Sequence, residues 1–228
     1  MAAFGAAIGS LPATNCLVAA VEAQKSAGPA RKLTPPTTGT IPVAVLISEG
    51  VTVIDFAGPW EVFQDVSVGE QGGFELFTVS EKIETIRATA GLKLVPDYTF
   101  ANVPECKVVV IPAQKGSEAM REWLRKVSKT ADVTMSVCTG AFQLAKAGLL
   151  DGQAATTHHD FIDKLEKGYP SINVKRGLRF VEGERISTAG GLSSGIDLAL
   201  RVVERYFGRK VAQATAEYME YQGRDWII

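Results

Sequence analysis

The segment Ser136-Val137-Cys138-Thr139-Gly140-Ala141 decides the fold, because it joins a predicted strand over residues 133–137 directly to a predicted apolar helix over residues 141–149. A turn of this kind lifts the residue at its apex out of the sheet, as in the nucleophile elbow of hydrolases. The helix start behind it offers free N–H groups and positive potential, which favour a thiolate over a thiol. The pattern predicts that Cys138 is a reactive, low-pKa nucleophile; the alternative is a small buried hydrophobe.

Strands alternate with helices on both sides of this segment. Runs of β-branched residues predict strands, and apolar positions at helical spacing predict helices. The predicted strands cover residues 41–47, 74–79, 107–112 and 133–137 with a hairpin over 178–189, and the predicted helices cover residues 60–66, 117–128, 141–149, 195–207 and 210–221. Such alternation predicts an α/β fold with a mostly parallel sheet and helices on both faces. The ligand site of such a sheet lies at the carboxyl ends of its strands.

The composition is that of one compact globular domain. The 228 residues carry 24 Lys and Arg against 25 Asp and Glu, and 46% of them are hydrophobic. These values argue against a disordered chain, and also against a nucleic-acid partner, since phosphate binding requires a concentrated excess of basic residues. Only two histidines, His158 and His159, and three scattered cysteines are present, which argues against a metal centre.

Residues 1–40 differ from the rest of the chain. Residues 1–20 are small and apolar with no charged side chain, and a Pro- and Thr-rich stretch that resembles a linker follows them. The apolar part resembles the core of a secretion signal without its basic start, and the alternative is a frayed helix. It is too short and too often interrupted to span a membrane. We therefore expect a domain over residues 41–228 without stable membrane insertion. Its expected location is cytoplasmic, or periplasmic if residues 1–20 are the remainder of an export signal.

Several blocks, in their order and spacing, resemble the ThiJ/PfpI superfamily, whose members have the class I glutamine amidotransferase-like fold. The blocks are Cys138-Thr139-Gly140, residues 145–152 (AKAGLLDG), Ala155-Thr156-Thr157-His158, Ala189-Gly190-Gly191 and residues 55–63 (DFAGPWEVF). The 55–63 block is most similar to isonitrile hydratases, and also to the sensor domains of certain transcription activators. The resemblance implies a flavodoxin-like three-layer α/β sandwich, a homodimer, a small-molecule substrate and no cofactor.

Carried over by position, the resemblance implies catalytic roles for three residues. Cys138 would be the nucleophile, Asp55 the acidic partner near its sulfur, and Thr139 would contribute its backbone N–H and hydroxyl beside it. The residues themselves agree for Asp55, because Pro59 predicts a helix start near Gly58 and leaves Asp55 in the turn before the helix. From that turn a carboxyl could reach the elbow. The alternative for Asp55 is a helix cap.

Four further residues are expected near the substrate. Ala113 and Gln114 stand where the family usually has a Gly-Gly pair whose backbone binds developing negative charge, so this departure bears on the oxyanion site. Gly140 leaves room for close backbone approach at the nucleophile. His158 matches the family's Thr-His position near the cysteine, where it either takes part in the chemistry or only bridges backbone groups or a dimer contact.

Isonitrile hydration is the function that these residues favour. The reaction needs a soft nucleophile for the terminal carbon and an acid to protonate that carbon, and a thiolate with a neighbouring carboxyl supplies both without a metal. An isonitrile carries one substituent, so we expect an apolar pocket beyond the sulfur, with Phe56, Trp60 and the loop after Pro112 as candidate walls. Thr139 stands where the peptidase-like members have a His, which argues against a Cys-His protease.

Two alternatives use the same cysteine. A glyoxalase or deglycase would act on methylglyoxal-type carbonyls, but those members usually carry Glu as the acidic partner, with a nearby His. A redox-sensing or ligand-sensing stress protein would need an oxidisable thiol and would show little turnover. A regulator would also need a helix-turn-helix. Since the chain ends about seven residues beyond the last predicted helix, we expect no DNA-binding domain.

Overall fold

A seven-stranded sheet forms the centre of the protein in a computed structural model that describes residues 30–69 and 71–228. Its strands are β1 (Ile41–Leu46), β2 (Phe74–Ser80), β3 (Tyr98–Thr99), β4 (Val108–Ile111), β5 (Val133–Ser136), β6 (Phe180–Val181) and β7 (Ile186–Ala189). They lie in the order β6-β7-β5-β4-β1-β2-β3, and all neighbours are parallel except β6 and β7. The prediction of a mostly parallel sheet is confirmed.

Helices and small ladders occupy the connections between these strands. The helices are α1 (Val53–Gln64), α2 (Glu118–Val127), α3 (Ala141–Lys146), α4 (Ile162–Gly168), α5 (Ser194–Phe207) and α6 (Arg209–Tyr218). Three-residue 3-10 turns lie at Thr89–Gly91, Cys138–Gly140 and His159–Phe161, and short ladders pair Ser67–Val68 with Gln71–Gly72, Ile86–Arg87 with Lys93–Leu94, and Ala154–Ala155 with Asn173–Val174. The ladders, β3 and α4 were not predicted, because such short elements show no clear periodicity.

The sheet is buried on both faces, as the continuous apolar strands predicted. Val43 and Val45 of β1 belong to one core cluster, while Ala44 and Leu46 belong to another. Successive side chains of a strand point to opposite faces, so these two clusters lie on the two sides of the sheet. The first cluster contains residues of α1, α5 and α6, and the second contains residues of α2, α3 and α4. The three-layer sandwich is therefore confirmed.

Strand register brings four loops to one edge of the sheet. Ser136 of β5 lies opposite both Ile111 of β4 and Thr188 of β7, and Val110 of β4 lies opposite Val45 of β1. Because these strands are parallel, their carboxyl ends meet at the same edge. The loops that follow β1, β4, β5 and β7 are the ones that can build a shared site.

Helix α1 begins at Val53, well before the predicted start near Gly58, and this prediction was wrong. Pro59 lies inside the helix, where it removes the backbone hydrogen bond to the Asp55 carbonyl. Packing overrides this signal: a Cβ on Gly58 would lie 2.9 Å from Cγ1 of Ile196, so α1 and α5 are in close contact. Asp55 consequently lies in the first turn of the helix instead of the preceding loop.

The first described residues pack onto the domain body. Leu33 is buried in the core cluster that contains α5, and its N–H donates to the carbonyl of Arg205 (2.8 Å). The Nε of Arg205 donates in turn to the carbonyl of Arg31 (3.0 Å). The predicted signal-like segment over residues 1–20, with Cys16, lies outside the described residues. Of the helices within residues 30–69 and 71–228, none is both long enough and apolar enough to cross a bilayer.

Candidate active site

Cys138 lies at the apex of the predicted elbow, between β5 and α3. Its φ is +57°, in the left-handed region, which costs an L-residue about 1–2 kcal/mol. Two hydrogen bonds hold this conformation. The Cys138 N–H donates to the carbonyl of Gly190 (2.7 Å), and its carbonyl accepts from the hydroxyl of Thr157 (2.8 Å). Residues that follow β7 and precede α4 therefore fix the apex in place.

Gly140 seats the elbow against the neighbouring strand. A Cβ at this position would lie 2.0 Å from the carbonyl oxygen of Ile111 and 2.9 Å from that of Pro112. Its φ of −54° is ordinary helical backbone, so the glycine is required for space and not for conformation. Gly140 is buried, and its role is to let the elbow approach the end of β4 closely.

Asp55 brings a carboxyl to the sulfur of Cys138. It is fully buried, and its Oδ2 accepts a hydrogen bond from the N–H of Ala113 (3.1 Å). Its Oδ1 is buried and accepts no hydrogen bond of standard geometry from the described residues. Burial raises the pKa of Asp55 to about 6, while the N–H of Ala113 and the contact with the Cys138 side chain oppose the rise. This carboxyl can therefore take and return a proton near neutral pH.

The thiol of Cys138 does not have the lowered pKa that the sequence predicted. Burial, and next the negative charge of Asp55, raise its pKa to about 11. The start of the six-residue α3 does not offset the effects of burial and of the Asp55 charge. Cys138 and Asp55 instead titrate as a pair. At a pH between their two apparent pKa values, the pair together holds one proton. A thiolate becomes available when that proton lies on Asp55.

Two backbone N–H groups face the sulfur. Those of Thr139 and Leu192 donate toward Sγ and oppose the rise in its pKa. Leu192 has a φ of +50°, so the two left-handed residues of the site, Cys138 and Leu192, meet here. Two backbone N–H groups that converge on one sulfur stabilise its negative charge. The sequence analysis missed Leu192; the only signal was its place between Gly191 and the start of α5.

Ala113 and Gln114 position Asp55 and the strand ends. The N–H of Ala113 is bound to Asp55, and its carbonyl accepts from the N–H of Thr52 before α1 (2.9 Å). The Nε2 of Gln114 donates to the carbonyl of Leu46 (3.0 Å). The N–H of Ala113 is thus engaged by Asp55, and the N–H groups at the sulfur are those of Thr139 and Leu192. A role of Ala113 and Gln114 in substrate binding stays a prediction.

His158 packs close to the elbow without contacting the thiol. A Cβ on Gly191 would lie 2.4 Å from Cδ2 of His158, so the imidazole occupies the space that this glycine leaves. Its Nδ1 accepts from the N–H of Asp160 (3.2 Å), and its ring stacks on His159 at 4.3 Å between centroids. Ligand atoms of His158, His159 and Asp160 lie within 4.8 Å of one another, although the latter two side chains are exposed. His158 is thus a wall residue.

A cavity of about 350 Å³ adjoins the elbow on the β7 side. Its lining includes Thr157, His158, Arg179, Gly190, Leu192 and Ser193. The predicted apolar walls, Phe56 and Trp60, do not line it and instead pack against the core cluster that contains α1. The apolar pocket expected beyond the sulfur stays a prediction, since this cavity combines polar side chains with apolar ones such as Ile162, Leu178 and Leu192.

Comparison with known proteins gives concordant matches. The profile of the DJ-1/PfpI family matches residues 42–205. Isonitrile hydratase of Pseudomonas putida is 30% identical over 188 residues, which cover 78% of this chain and 78% of that protein. A ThiJ/PfpI family protein from Pseudomonas syringae has a similar structure, with a TM-score of 0.73 and 26% identity over 83% of this chain and 78% of that chain.

Regulators are also among the similar proteins. The HTH-type transcriptional regulator GbdR of Pseudomonas aeruginosa is 26% identical over 188 residues, or 79% of this chain. The match covers only 50% of the regulator, so the chain spans half the length of that relative. The hydratase, in contrast, is covered over more than two thirds of its length.

Proposed function

This chain belongs to the DJ-1/PfpI family, and we propose that within it the protein is a cofactor-independent enzyme that hydrates isonitriles to N-substituted formamides. The observation that carries the proposal is the buried carboxyl of Asp55 against the thiol of Cys138, with one oxygen free for proton transfer. The similarity to an isonitrile hydratase over most of both chains supports it.

The first step forms a thioimidate. The thiol proton of Cys138 moves to Asp55, which leaves a thiolate and a carboxylic acid. The sulfur then forms a bond to the terminal carbon of R–N≡C, while Asp55 returns its proton to the same carbon. The product is R–N=CH–S–Cys138, and Asp55 is again a carboxylate. Before the attack, the N–H groups of Thr139 and Leu192 stabilise the thiolate.

The second step releases the formamide. Asp55 takes a proton from water as the water oxygen bonds to the thioimidate carbon, and that proton passes to the nitrogen. The resulting R–NH–CH(OH)–S–Cys138 collapses when the C–S bond breaks and the hydroxyl proton moves to the sulfur. The sum is one isonitrile and one water converted to one N-substituted formamide, with Cys138 and Asp55 restored.

The properties of the Cys138 thiol fit the two rival functions less closely than they fit isonitrile hydration. A redox sensor needs a thiol that ionises readily, whereas burial and Asp55 raise the pKa of Cys138. A glyoxalase or deglycase remains the enzymatic alternative. His158, the imidazole nearest the elbow, forms the cavity wall and does not contact the sulfur, which favours the hydratase.

Formamide production from cyclohexyl isonitrile tests the proposal. The wild type, Cys138→Ala, Asp55→Ala and the control Cys106→Ala would be compared by chromatography, with circular dichroism as the check on folding. We expect both active-site substitutions to abolish turnover and the control to retain it. No turnover by folded wild type, or turnover that survives Cys138→Ala, would overturn the proposal, and methylglyoxal would be the next substrate.

We also propose that the protein is a homodimer, and that it is cytoplasmic unless residues 1–20 direct export. Light scattering of the purified full chain measures the first. Cell fractionation, together with the mass of the mature N-terminus, measures the second. A monomer would contradict the first expectation. A periplasmic protein that keeps residues 1–20, or a cytoplasmic protein that lacks them, would contradict the second.

A further inference from the structure

The cavity beside the elbow is placed to hold the part of a substrate that does not react. Three residues contact both the cavity and Cys138: Thr157 bonds to its carbonyl, Gly190 to its N–H, and the Leu192 N–H faces its sulfur. A molecule in this cavity is therefore separated from Cys138 by a single layer of residues. Its volume of about 350 Å³ suits a small organic molecule.

Arg179 gives this cavity its chemical character. Its Nε donates to Oδ2 of Asp197 (2.8 Å), and its Nη1 and Nη2 both lie 3.3 Å from Oγ of Ser193. Asp197 is fully buried, and its Oδ1 accepts from the hydroxyl of Tyr221 (2.9 Å). This carboxylate holds one edge of the guanidinium rigidly. A third of the Arg179 side chain stays exposed at the cavity wall.

Arg179 and Ser193 present hydrogen-bond donors at this wall that have no acceptor among the described residues. Arg179 has five N–H groups, two of them on Nη1. Only one of these two donates to Ser193, so the other is free. The Ser193 hydroxyl accepts from Arg179, so its own proton is free to donate. Within residues 30–69 and 71–228, the backbone N–H of Ser193 has no acceptor either. Convergent donors suit a group that only accepts, and an ionised carboxylate is such a group.

We propose that the preferred substrates carry a carboxylate that binds to Arg179 and Ser193 while the isonitrile carbon reaches Cys138. This inference rests on the proposed function, because the reacting group is the isonitrile. The acidic groups near Arg179 are Asp197, which neutralises its formal charge, and Asp225, whose Oδ2 lies 4.0 Å from Nε. The site therefore selects a carboxylate through directed N–H and O–H contacts and not through net charge. We expect it to prefer a carboxylate over the matching ester by about tenfold to a hundredfold.

Matched substrates measure this preference. Isocyanoacetate and its methyl ester differ in charge and little in size, and both can form a formamide. We expect kcat/KM for the free acid to exceed that for the ester by at least about tenfold. The double variant with Arg179→Gln and Asp197→Asn replaces both charged groups by amides that can still form hydrogen bonds. In this variant the ratio of kcat/KM for the acid to kcat/KM for the ester should fall to near one. Ser193→Ala should lower the ratio partly, and Arg87→Gln, at an exposed position, should leave it unchanged.

A binding measurement separates this inference from the proposed function. Cys138→Ala protein, which has no nucleophile, would be titrated with N-formylglycine and with its methyl ester by calorimetry. Tighter binding of the free acid that is lost with Arg179→Gln and Asp197→Asn supports the carboxylate site even if no isonitrile is hydrated. Equal binding of acid and ester, or a preference that survives both the double variant and Ser193→Ala, overturns it. Hydration of cyclohexyl isonitrile decides the proposed function independently.

Discussion

Cys138 and Cys106 are both buried thiols whose pKa is raised to about 11, chiefly by burial, yet they lie in different surroundings. Cys106 precedes β4 in the core cluster of α2 and α3, and no side-chain hydrogen bond affects its pKa. Cys138 belongs to the opposite cluster, at the strand ends, with Asp55 and two N–H groups at its sulfur. A raised pKa alone thus does not separate an inert thiol from a nucleophile.

The difference lies in what can remove the proton and what can hold the charge that remains. Next to Cys138, Asp55 has an unoccupied oxygen and a pKa of about 6, so it can accept a proton at neutral pH. Near Cys106 the acidic neighbour is Glu105, which is exposed and bound to Lys107. The chemistry of a buried cysteine therefore depends on a partner that shares its proton, and each prediction below tests one part of that partnership.

The largest expected effect is on alkylation of the native protein. We expect iodoacetamide at pH 7.5 to modify Cys138 at least about 1,000-fold faster than Cys106. Among the described residues no side chain bonds to the Cys106 thiol, and this thiol is exposed only when the structure opens. Peptide mapping by mass spectrometry measures both rates in one sample. The two rates should become equal in denaturant. Similar rates in the folded protein would mean that burial, not the partner, controls both thiols.

Gly140→Ala should disrupt the elbow. The added Cβ would meet the Ile111 carbonyl oxygen at 2.0 Å, and backbone cannot move aside easily, so we expect a loss of at least about 3 kcal/mol in the free energy of unfolding. Gly152→Ala is the matched control, since Gly152 has a φ of +72° and open space around it. It should cost about 1 kcal/mol, from conformation alone. Equal losses in urea denaturation would refute the close-packing argument.

Asp55→Asn should stabilise the protein at high pH. The pKa of Asp55 is raised from 3.8 to about 6, so the folded state holds its proton more tightly than the unfolded state. The penalty for ionising the buried carboxyl is absent below about pH 4, grows between pH 4 and 6, and is complete above pH 6. We expect the variant to be more stable than wild type by about 3 kcal/mol at pH 8 and by little at pH 4.

Asp197→Asn is the control for that measurement. Asp197 is equally buried, but it is bonded to Arg179. Burial raises the pKa of Asp197 too, and Arg179 opposes that rise. Because removing this charge also takes the nearest counter-ion from the guanidinium, Asp197→Asn should gain less stability at pH 8 than Asp55→Asn gains. Denaturant titrations of both variants at pH 4 and pH 8 give the comparison. A loss of stability in Asp55→Asn at pH 8 would show that burial does not destabilise the ionised Asp55 carboxylate.

Local pattern was sufficient for the elements whose signals lie within a few residues. The helix predicted over residues 117–128 is an example: Ser117 caps it, and its side chain accepts from the N–H of Met120 (3.1 Å). The elbow at Cys138 followed from a buried strand next to an apolar helix. In α1, however, the local signal of Pro59 was outweighed by the contact of Gly58 with Ile196, which belongs to a helix far along the chain.

The site was less predictable than the fold because its decisive contacts are long-range. The pairing of Asp55 with Cys138 came from the family resemblance, since no pattern in one segment places a carboxyl from α1 beside a thiol after β5. The raised thiol pKa could not be predicted either, because it depends on how completely both groups are buried. Leu192 and Arg179 reach the site through β6 and β7, and their roles depend on backbone conformation and on Asp197.

The pH profile of kcat/KM for a neutral isonitrile should show the titration of Asp55 and Cys138 as a pair. Asp55 and Cys138 together hold one proton between apparent pKa values of about 6 and about 11, so activity should be highest in that range. At pH 4 both groups are protonated, and we expect kcat/KM about a hundredfold below the plateau. Initial rates in overlapping buffers measure the profile. Activity that stays constant from pH 4 to pH 8, or an Asp55→Asn variant that stays active with the same acidic limb, would assign the limb to another group.

The smallest expected effect concerns the hydrogen bond that fixes the apex. Thr157 donates to the Cys138 carbonyl (2.8 Å), whereas the neighbouring Thr156 donates to the carbonyl of Lys175 (3.0 Å). Both are buried, so Thr157→Val and Thr156→Val should each cost about 1 kcal/mol of stability. Only Thr157→Val should also lower kcat, because it alone releases the left-handed backbone that aims the sulfur at Asp55. An equal loss of kcat in the two variants would mean that the bond stabilises the fold without positioning the nucleophile.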